Sequence, residues 1–476
     1  MQKIRFFSHK IDMLLKNLAI LLLSFYKFAI SPYILSQCSY AITCSDYSKI
    51  KVKEKGIFLG LLLSFLRLVK CTLMPIKHNI PINNKFKLFL FSILLFVFIS
   101  CTNFEHQGGW SNVVLDPDNE SFFVSSNQGK VFNIVTNDGI PRINWSYPDE
   151  GKGTSYTDPI LYRDSVISAK FDCRGKNCEG EVFEIRKSDG QIIWVKNIPS
   201  KINPRIEIYN DILIFSSLDK QNSVEDPKSS QIYLISLKND SNKGEVIGKI
   251  PVLGEIWNGV YLYDEKIFVA TMEGSLYTYD ATKLQDFSNN SLDQISIDSI
   301  DFPHAINSQL FFHENKIMFS DVAGKFYSAS IEDPNNFIDV DLGNWMIAKP
   351  IFHNSLIYTF TLNGEIITIQ PENFEIVEVI NTDKIVVGDP KVLEIDGDEY
   401  ILLPTEKEGI EIINNSEFDK GNSSGRYSTE KKLYSSPLIF ENNLIIHTQE
   451  SELLFFKVKS RDLYYCLDLN EEKICD

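Results

Sequence analysis

One pattern recurs eight times along this chain and constrains its fold more than any other feature. Four clear copies are "SFFVSSNQGKVFNIVTNDG" (121–139), "KIFVATMEGSLYTYDATK" (266–283), "KIMFSDVAGKFYSASIED" (316–333) and "LIYTFTLNGEIITIQPEN" (356–373). Looser copies occupy 165–194, 212–237, 400–413 and 444–458. In each, apolar and polar residues alternate, the mark of a strand with one buried face, and a turn, usually with glycine, separates two such strands. A further short strand stands upstream, as in "DPILYRD" (158–164), "KPIFHN" (349–354) and "SPLIFEN" (436–442). Three or four short strands repeating every 40–55 or so residues predict propeller blades. A β-helix needs a shorter repeat, and a sandwich does not repeat eight times.

The first hundred residues are of a different kind. They carry 14 Lys/Arg against 3 Asp/Glu, whereas the remainder carries 33 against 60. A basic, apolar segment suits an anionic membrane face, where each Lys or Arg contributes about 1 kcal/mol of attraction. The acidic remainder is repelled by a phosphate backbone, so nucleic acid is excluded as a partner. Within "NLAILLLSFYKFAISPYIL" (17–35), Lys27 sits mid-run; a charge at the bilayer centre costs about 3 kcal/mol, which favours an interfacial placement over a span. The run "GIFLGLLLSFLRLV" (56–69) is short for a span. The expected fold class is therefore a small membrane-associated helical segment followed by an all-β propeller of eight blades. The expected domains are 1–80, a connecting segment 81–101, and the propeller 102–476.

The cysteines divide the same way. Cys173, Cys178, Cys466 and Cys475 form two close pairs in the acidic part and read as disulfides of an exported domain. The rival reading is a four-thiol zinc site, although spacings of four and eight intervening residues match no common zinc pattern.

"ISPYILSQCSYAITCSDYS" (30–48) carries a more specific signal. It resembles the signature of the YidD family, the membrane protein insertion efficiency factors, through Phe25, Tyr26, Ile30, Ser31, Pro32, Cys38, Tyr40, Thr43, Cys44, Ser45 and Tyr47. Gly56, Gly60, Arg67, Lys70 and Cys71 match the family's later motif. Ser39, Ile42 and Lys55 depart from it, and its Gly-rich end is missing. The resemblance implies a small protein on the cytoplasmic face of the inner membrane. It would assist insertion of integral proteins beside the insertion machinery and perform no catalysis. Cys38, Cys44 and Cys71 could hold a soft metal, but reduced structural thiols need no fourth ligand and are the preferred reading.

"MPIKHNIPINNKFKLFLFSILLFVFISC" (74–101) has the parts of a signal peptide. Lys77, Lys85 and Lys87 make a positive start and 88–99 an apolar run too short for a comfortable span. "FISC" resembles the bacterial lipobox, with a Phe where Leu is usual. That implies lipidation of Cys101 and cleavage before it; an uncleaved anchor with an unmodified cysteine is the alternative. Cleavage would separate two proteins encoded as one chain.

"EGEVFEIRKSDGQIIW" (179–194), with Gly190 and Trp194, resembles the pyrroloquinoline-quinone-like repeat, and Trp145 ends a second copy. Later copies lose the Trp. Quinoprotein enzymes share that fold, and so do non-enzymatic outer-membrane assembly lipoproteins such as BamB, so the resemblance implies fold and not function. His304, His313, His353 and His447 are scattered, and neither a paired-His metal motif nor a serine elbow is present. "DPDNE" (116–120) and "DGDE" (396–399) lack the rest of a calcium loop and read as solvated turns. The segments 219–230 and 414–432 read as surface loops. The expectation is a non-enzymatic protein without cofactor, whose partners are membrane lipids, the insertion machinery and a protein that docks on the propeller. The runner-up is a surface lipoprotein binding a protein or glycan; the third reading is a quinone-dependent dehydrogenase.

Overall fold

The alternating repeats become eight antiparallel sheets in the computed structural model. It describes residues 47–48, 51, 63–64 and 111–475, apart from 119, 175–176, 219–228, 285–295, 383 and 415–422. The chain divides into two compact units, Met1–His106 and Gln107–Asp476. In the first, the described residues are helical; the expected interfacial runs, and every other expectation on 1–46 and 65–110, lie outside the described residues. Among the described residues no helix is long and apolar enough to cross a membrane.

The second unit is an eight-bladed propeller. Its blades span 114–147, 160–198, 201–253, 261–301, 311–341, 351–381, 391–427 and 438–474. Each is a meander of four strands in sequence order, and the last adds a fifth, Lys473–Ile474. The innermost strands are mostly three residues long, as in Ile160–Tyr162 and Phe311–His313. The second and third strands are almost wholly buried because blades cover both of their faces, where the sequence predicts one buried face.

The core is correspondingly divided into eight apolar clusters, one at each seam between neighbouring blades. Phe123, Val131, Val166, Phe183 and Ile185 fill the seam of blades 1 and 2, the smallest. Met318, Phe326, Ile357 and Ile367 lie in that of blades 5 and 6. Burying one such side chain contributes about 2 kcal/mol, so adjacency rather than strand pairing holds the ring together. The ring closes in the same manner. Phe122, Val124 and Phe132 of blade 1 pack on Ile445, Leu453 and Phe455 of blade 8, and among the described residues no strand is exchanged between the two. Polar contacts tie that seam as well: Asn127 N donates to Ser451 Oγ at 2.7 Å, Ser436 N to Asn112 Oδ1 at 2.6 Å, and His447 Nδ1 to Ser111 O at 2.9 Å.

Three local expectations differ from the structure. The polar segment 414–432 is not all loop: Ser423–Tyr427 forms the outer strand of blade 7, paired to Gly409–Asn414. An outermost strand has one face toward solvent, so it lacks the continuous apolar run that marks the inner strands. Likewise Ser229 and Ser230, placed in a loop by their polarity, begin the strand Ser229–Ser236. Asp116 is no solvated turn residue, since it is buried and paired with Lys187 of blade 2 at 3.2 Å. The "DGDE" stretch is a hairpin turn, with Asp396 at φ 55° and Gly397 at 92°.

A polar ring at the mouth of the propeller channel

One position recurs in all eight blades, two residues before the innermost strand in seven of them and within Lys201–Tyr209 in blade 3. It is occupied in turn by Asn112, Asp158, Arg205, Gly259, Gln309, Lys349, Asp389 and Ser436. In blades 2, 6, 7 and 8 a proline follows, which holds the preceding residue in an extended conformation. Apart from buried Gly259, these residues are half-buried, most of them between buried neighbours. They are enclosed by protein yet reached by solvent, as expected for residues lining a channel.

A contact between blades that are not neighbours places this ring at the propeller axis. Gln309 of blade 5 donates from Nε2 to Asp389 Oδ1 of blade 7 at 2.9 Å, passing blade 6, whose Lys349 N reaches the same oxygen at 3.0 Å. Asp158 of blade 2 accepts from Asn112 N at 2.6 Å and from Asn112 Nδ2 at 2.8 Å. Arg205 of blade 3 lies over the Tyr261 ring of blade 4 at 4.4 Å and donates from Nε to Glu207 at 2.7 Å. It can do so because blade 4 has glycine at the ring position: a Cβ on Gly259 would come within 2.7 Å of Arg205 Cβ. Lys349 Nζ sits 5.9 Å from the Phe311 ring centre.

Charges from opposite sides act on one another through the opening. Burial raises the Asp158 carboxyl above its ordinary range; the Asn112 hydrogen bonds and Arg205 oppose that shift, and Asp389 across the channel adds to it. Burial also holds the Lys349 ammonium below its ordinary value, opposed by Asp389 and reinforced by Arg205 and Lys391. The ring can bind and orient a small charged molecule.

The sequence does not single out the ring, although the X-Pro dipeptides in "DPILYRD", "KPIFHN" and "SPLIFEN" mark three of its eight positions. Of the residues singled out there, Cys101, Ser31, Pro32, Cys38, Tyr40, Cys44, Ser45, Arg67 and Cys71 lie outside the described residues. Tyr47 is described, with Lys51 Nζ 5.6 Å from its ring centre one helical turn on. Cys173–Cys178 and Cys466–Cys475 are disulfides, with Cα atoms 4.0 and 5.4 Å apart. The first closes the hairpin of blade 2 and the second clasps the fifth strand onto blade 8. A four-thiol zinc site is thereby excluded, and the sulfurs of Cys466 and Cys475 beside Glu452 are not available as thiolate ligands. His313 stacks on Phe352 at 3.6 Å, His353 faces Glu399 at 3.3 Å, and His304 faces buried Asp321 at 3.1 Å; His447 is buried at the closing seam.

Comparison with known proteins treats the two parts of the chain separately. The propeller resembles solved structures at low identity. BamB from Moraxella catarrhalis matches with a TM-score of 0.51 and 12% identity, over 72% of this chain and 95% of that one. The computationally designed Ika8 protein matches with a TM-score of 0.52 and 10% identity, over 74% and 97%. These likenesses establish the propeller fold alone. Residues 15–79 match the YidD family model, described as "Putative membrane protein insertion efficiency factor". A protein of that description from Rickettsia massiliae (strain Mtu5) is 34% identical over 79 residues, 14% of this chain and 96% of the relative. One from Neisseria gonorrhoeae (strain NCCP11945) is 42% identical over 60 residues, 13% of this chain and 82% of the relative. Through its N-terminal segment, this chain belongs to the YidD family.

Proposed function

We propose that the protein assists the insertion of integral proteins into a bacterial cell membrane, and that its propeller is a non-enzymatic scaffold on the far side of that membrane. The observation that carries this reading is the span of the family match, which covers nearly the whole length of a relative described as an insertion efficiency factor. The basic charge of the first hundred residues favours the cytoplasmic face for that segment. The apolar run 88–99 and the lipobox-like "FISC" favour export of the propeller behind them, with Cys101 as the lipid-bearing residue. The disulfides of the propeller agree with an oxidising compartment. The propeller's partner is then a protein, as for a scaffold.

Two experiments test this. Depletion of the protein should lower the membrane-inserted fraction of newly made integral proteins; unchanged insertion would remove the reading. An immunoblot against a C-terminal tag should show a species shortened by about a hundred residues, converted to full length by Cys101→Ala. A single full-length species in both cases would leave the two units joined and Cys101 unprocessed.

A further inference from the structure

The polar ring contains donors and an acceptor that the protein itself leaves unused. Arg205 engages Glu207 through Nε only, and its two terminal nitrogens have no partner among the described residues. Lys349 Nζ makes neither a hydrogen bond nor an ion pair there. Asp389 receives Gln309 and Lys349 N on Oδ1, which leaves Oδ2 open. Both oxygens of Asp158 are taken by Asn112, so Asp158 contributes charge and no contact.

The charges that face one another around the opening balance. Arg205, Lys349 and Lys391 oppose Asp158, Glu207 and Asp389. A bare anion would meet three carboxylates, and a bare cation three cationic groups. A molecule that carries both signs and no net charge meets an unused partner for each end. A planar carboxylate suits the guanidinium fork of Arg205, which Tyr261 already holds from beneath. An ammonium suits Asp389 Oδ2. Tyr261 and the half-buried Phe311 supply apolar surface beside the two cations.

We propose that the channel mouth is a binding site for a small zwitterion of the amino-acid class, with its carboxylate on Arg205 and Lys349 and its ammonium on Asp389. The site uses groups from blades 3, 6 and 7, so it exists only when the ring is closed. It is independent of the role of the N-terminal segment in insertion.

The test is calorimetric titration of the protein as extracted by detergent from its membrane, with three probes: L-phenylalanine, L-phenylalaninamide and N-acetyl-L-phenylalanine. Phenylalanine should bind saturably, and each blocked form at least tenfold more weakly, because each loses one charge. Lys349→Gln and Asp389→Asn should each weaken phenylalanine at least tenfold. Lys349→Gln removes an ammonium with no protein partner and so leaves the fold intact, whatever Asp389→Asn does to it. No saturable binding of phenylalanine overturns the proposal. So does N-acetylphenylalanine or phenylalaninamide binding as tightly as phenylalanine, or binding unchanged by Lys349→Gln.

Discussion

The seams that join blades 1 to 3 and two later ones, between blades 5 and 6 and between blades 7 and 8, solve one packing problem in opposite ways. In the first group a tryptophan on the outer strand leans onto the next blade. Trp145 lies on Gly190 and donates to Lys187 O at 2.8 Å, and Trp194 lies on Gly244. A Cβ on either glycine would come within 2.8 Å of the indole, so the turn must be bare. In the second group the large side chain stands on the turn instead. Phe374 occupies the turn position of blade 6 that Gly190 holds in blade 2, at φ 59°, and stacks on Phe326 of blade 5 at 5.2 Å. Arg461 holds that position in blade 8, at φ 65°, and covers Gly425 of blade 7, donating to Ser424 O at 3.0 Å. Strand register places Ile338 and Gly425 at the points where the first blades carry Trp. The loss of tryptophan from the later repeats is therefore a reversal of which blade supplies the filler. The seam needs one bulky group and one small one, and either order works.

The largest effect should come from emptying a tryptophan seam. Trp194→Ala removes the indole from Gly244 and also takes a donor from buried Glu184, which Ser165 and Lys243 share. Cavity and lost hydrogen bond together should cost about 4 kcal/mol in denaturant unfolding. Ile338→Ala, at the equivalent point of blade 5, should cost only about 1 kcal/mol, because that side chain is partly exposed and Phe374 fills the seam. Equal costs would show that the two kinds of seam are not alternatives.

The closing seam of blades 8 and 1 carries Tyr465 at the register point of the tryptophans and uses His447 in its polar layer. Its Nδ1 donates to Ser111 O, and Nε2 is buried without a hydrogen-bond partner among the described residues. Burial pushes the imidazole down to about 4, with the Ser111 carbonyl opposing that shift. The unfolded chain takes up this proton below about 6.5, whereas the folded ring refuses it until about pH 4. Stability from this group is present above 6.5, falls as pH drops toward 4, and is level below. The loss should be on the order of 3 kcal/mol, read as the change in denaturant midpoint across that window, and His447→Gln should abolish it. A midpoint falling equally in wild type and variant would assign acid sensitivity to the carboxylates instead.

Blade 8 also differs from blades 1 to 7 at its outer edge, where the chain's own end supplies a fifth strand held by Cys466–Cys475. Replacing both cysteines with serine should cost about 2 kcal/mol, since the closed loop is short. The Cys173–Cys178 pair caps a hairpin already aligned by its ladder, and its removal should cost less.

How far the sequence revealed these features depends on where each strand lies. Eight blades were legible because their second and third strands are covered on both faces, so runs such as "KIFVA" and "LIYTF" stay apolar. Outer strands were not: "SSGRY" (Ser423–Tyr427) is polar because solvent wets one face, and it reads as a loop. The polar ring was hidden for a different reason. Its members differ in type from blade to blade, and what they share is a place in the blade, so no residue pattern marks Gln309 as a partner of Asp389 eighty positions away. The filler reversal was half visible, since the missing tryptophans could be counted, but Phe374 and Arg461 stand in turns that resemble any other.

The smallest effect tests the reversal itself. Ile338→Trp should destabilise blade 5, because the indole meets Phe374 on the facing turn. Phe374→Gly should destabilise it too, by removing the ring stacked on Phe326, although glycine relieves the positive φ at that position. Combined, the two substitutions recreate the arrangement of Trp194 on Gly244. The double variant should then be more stable than the sum of the single losses allows, by about 1 kcal/mol. The coupling is small because the outer part of the seam is partly exposed and the buried cluster beneath it, Met318, Phe326 and Ile367, is unchanged. Strict additivity would mean that the backbone of blades 5 and 6 cannot accept an indole, so that the two orders of filling belong to differently spaced blades and do not interchange.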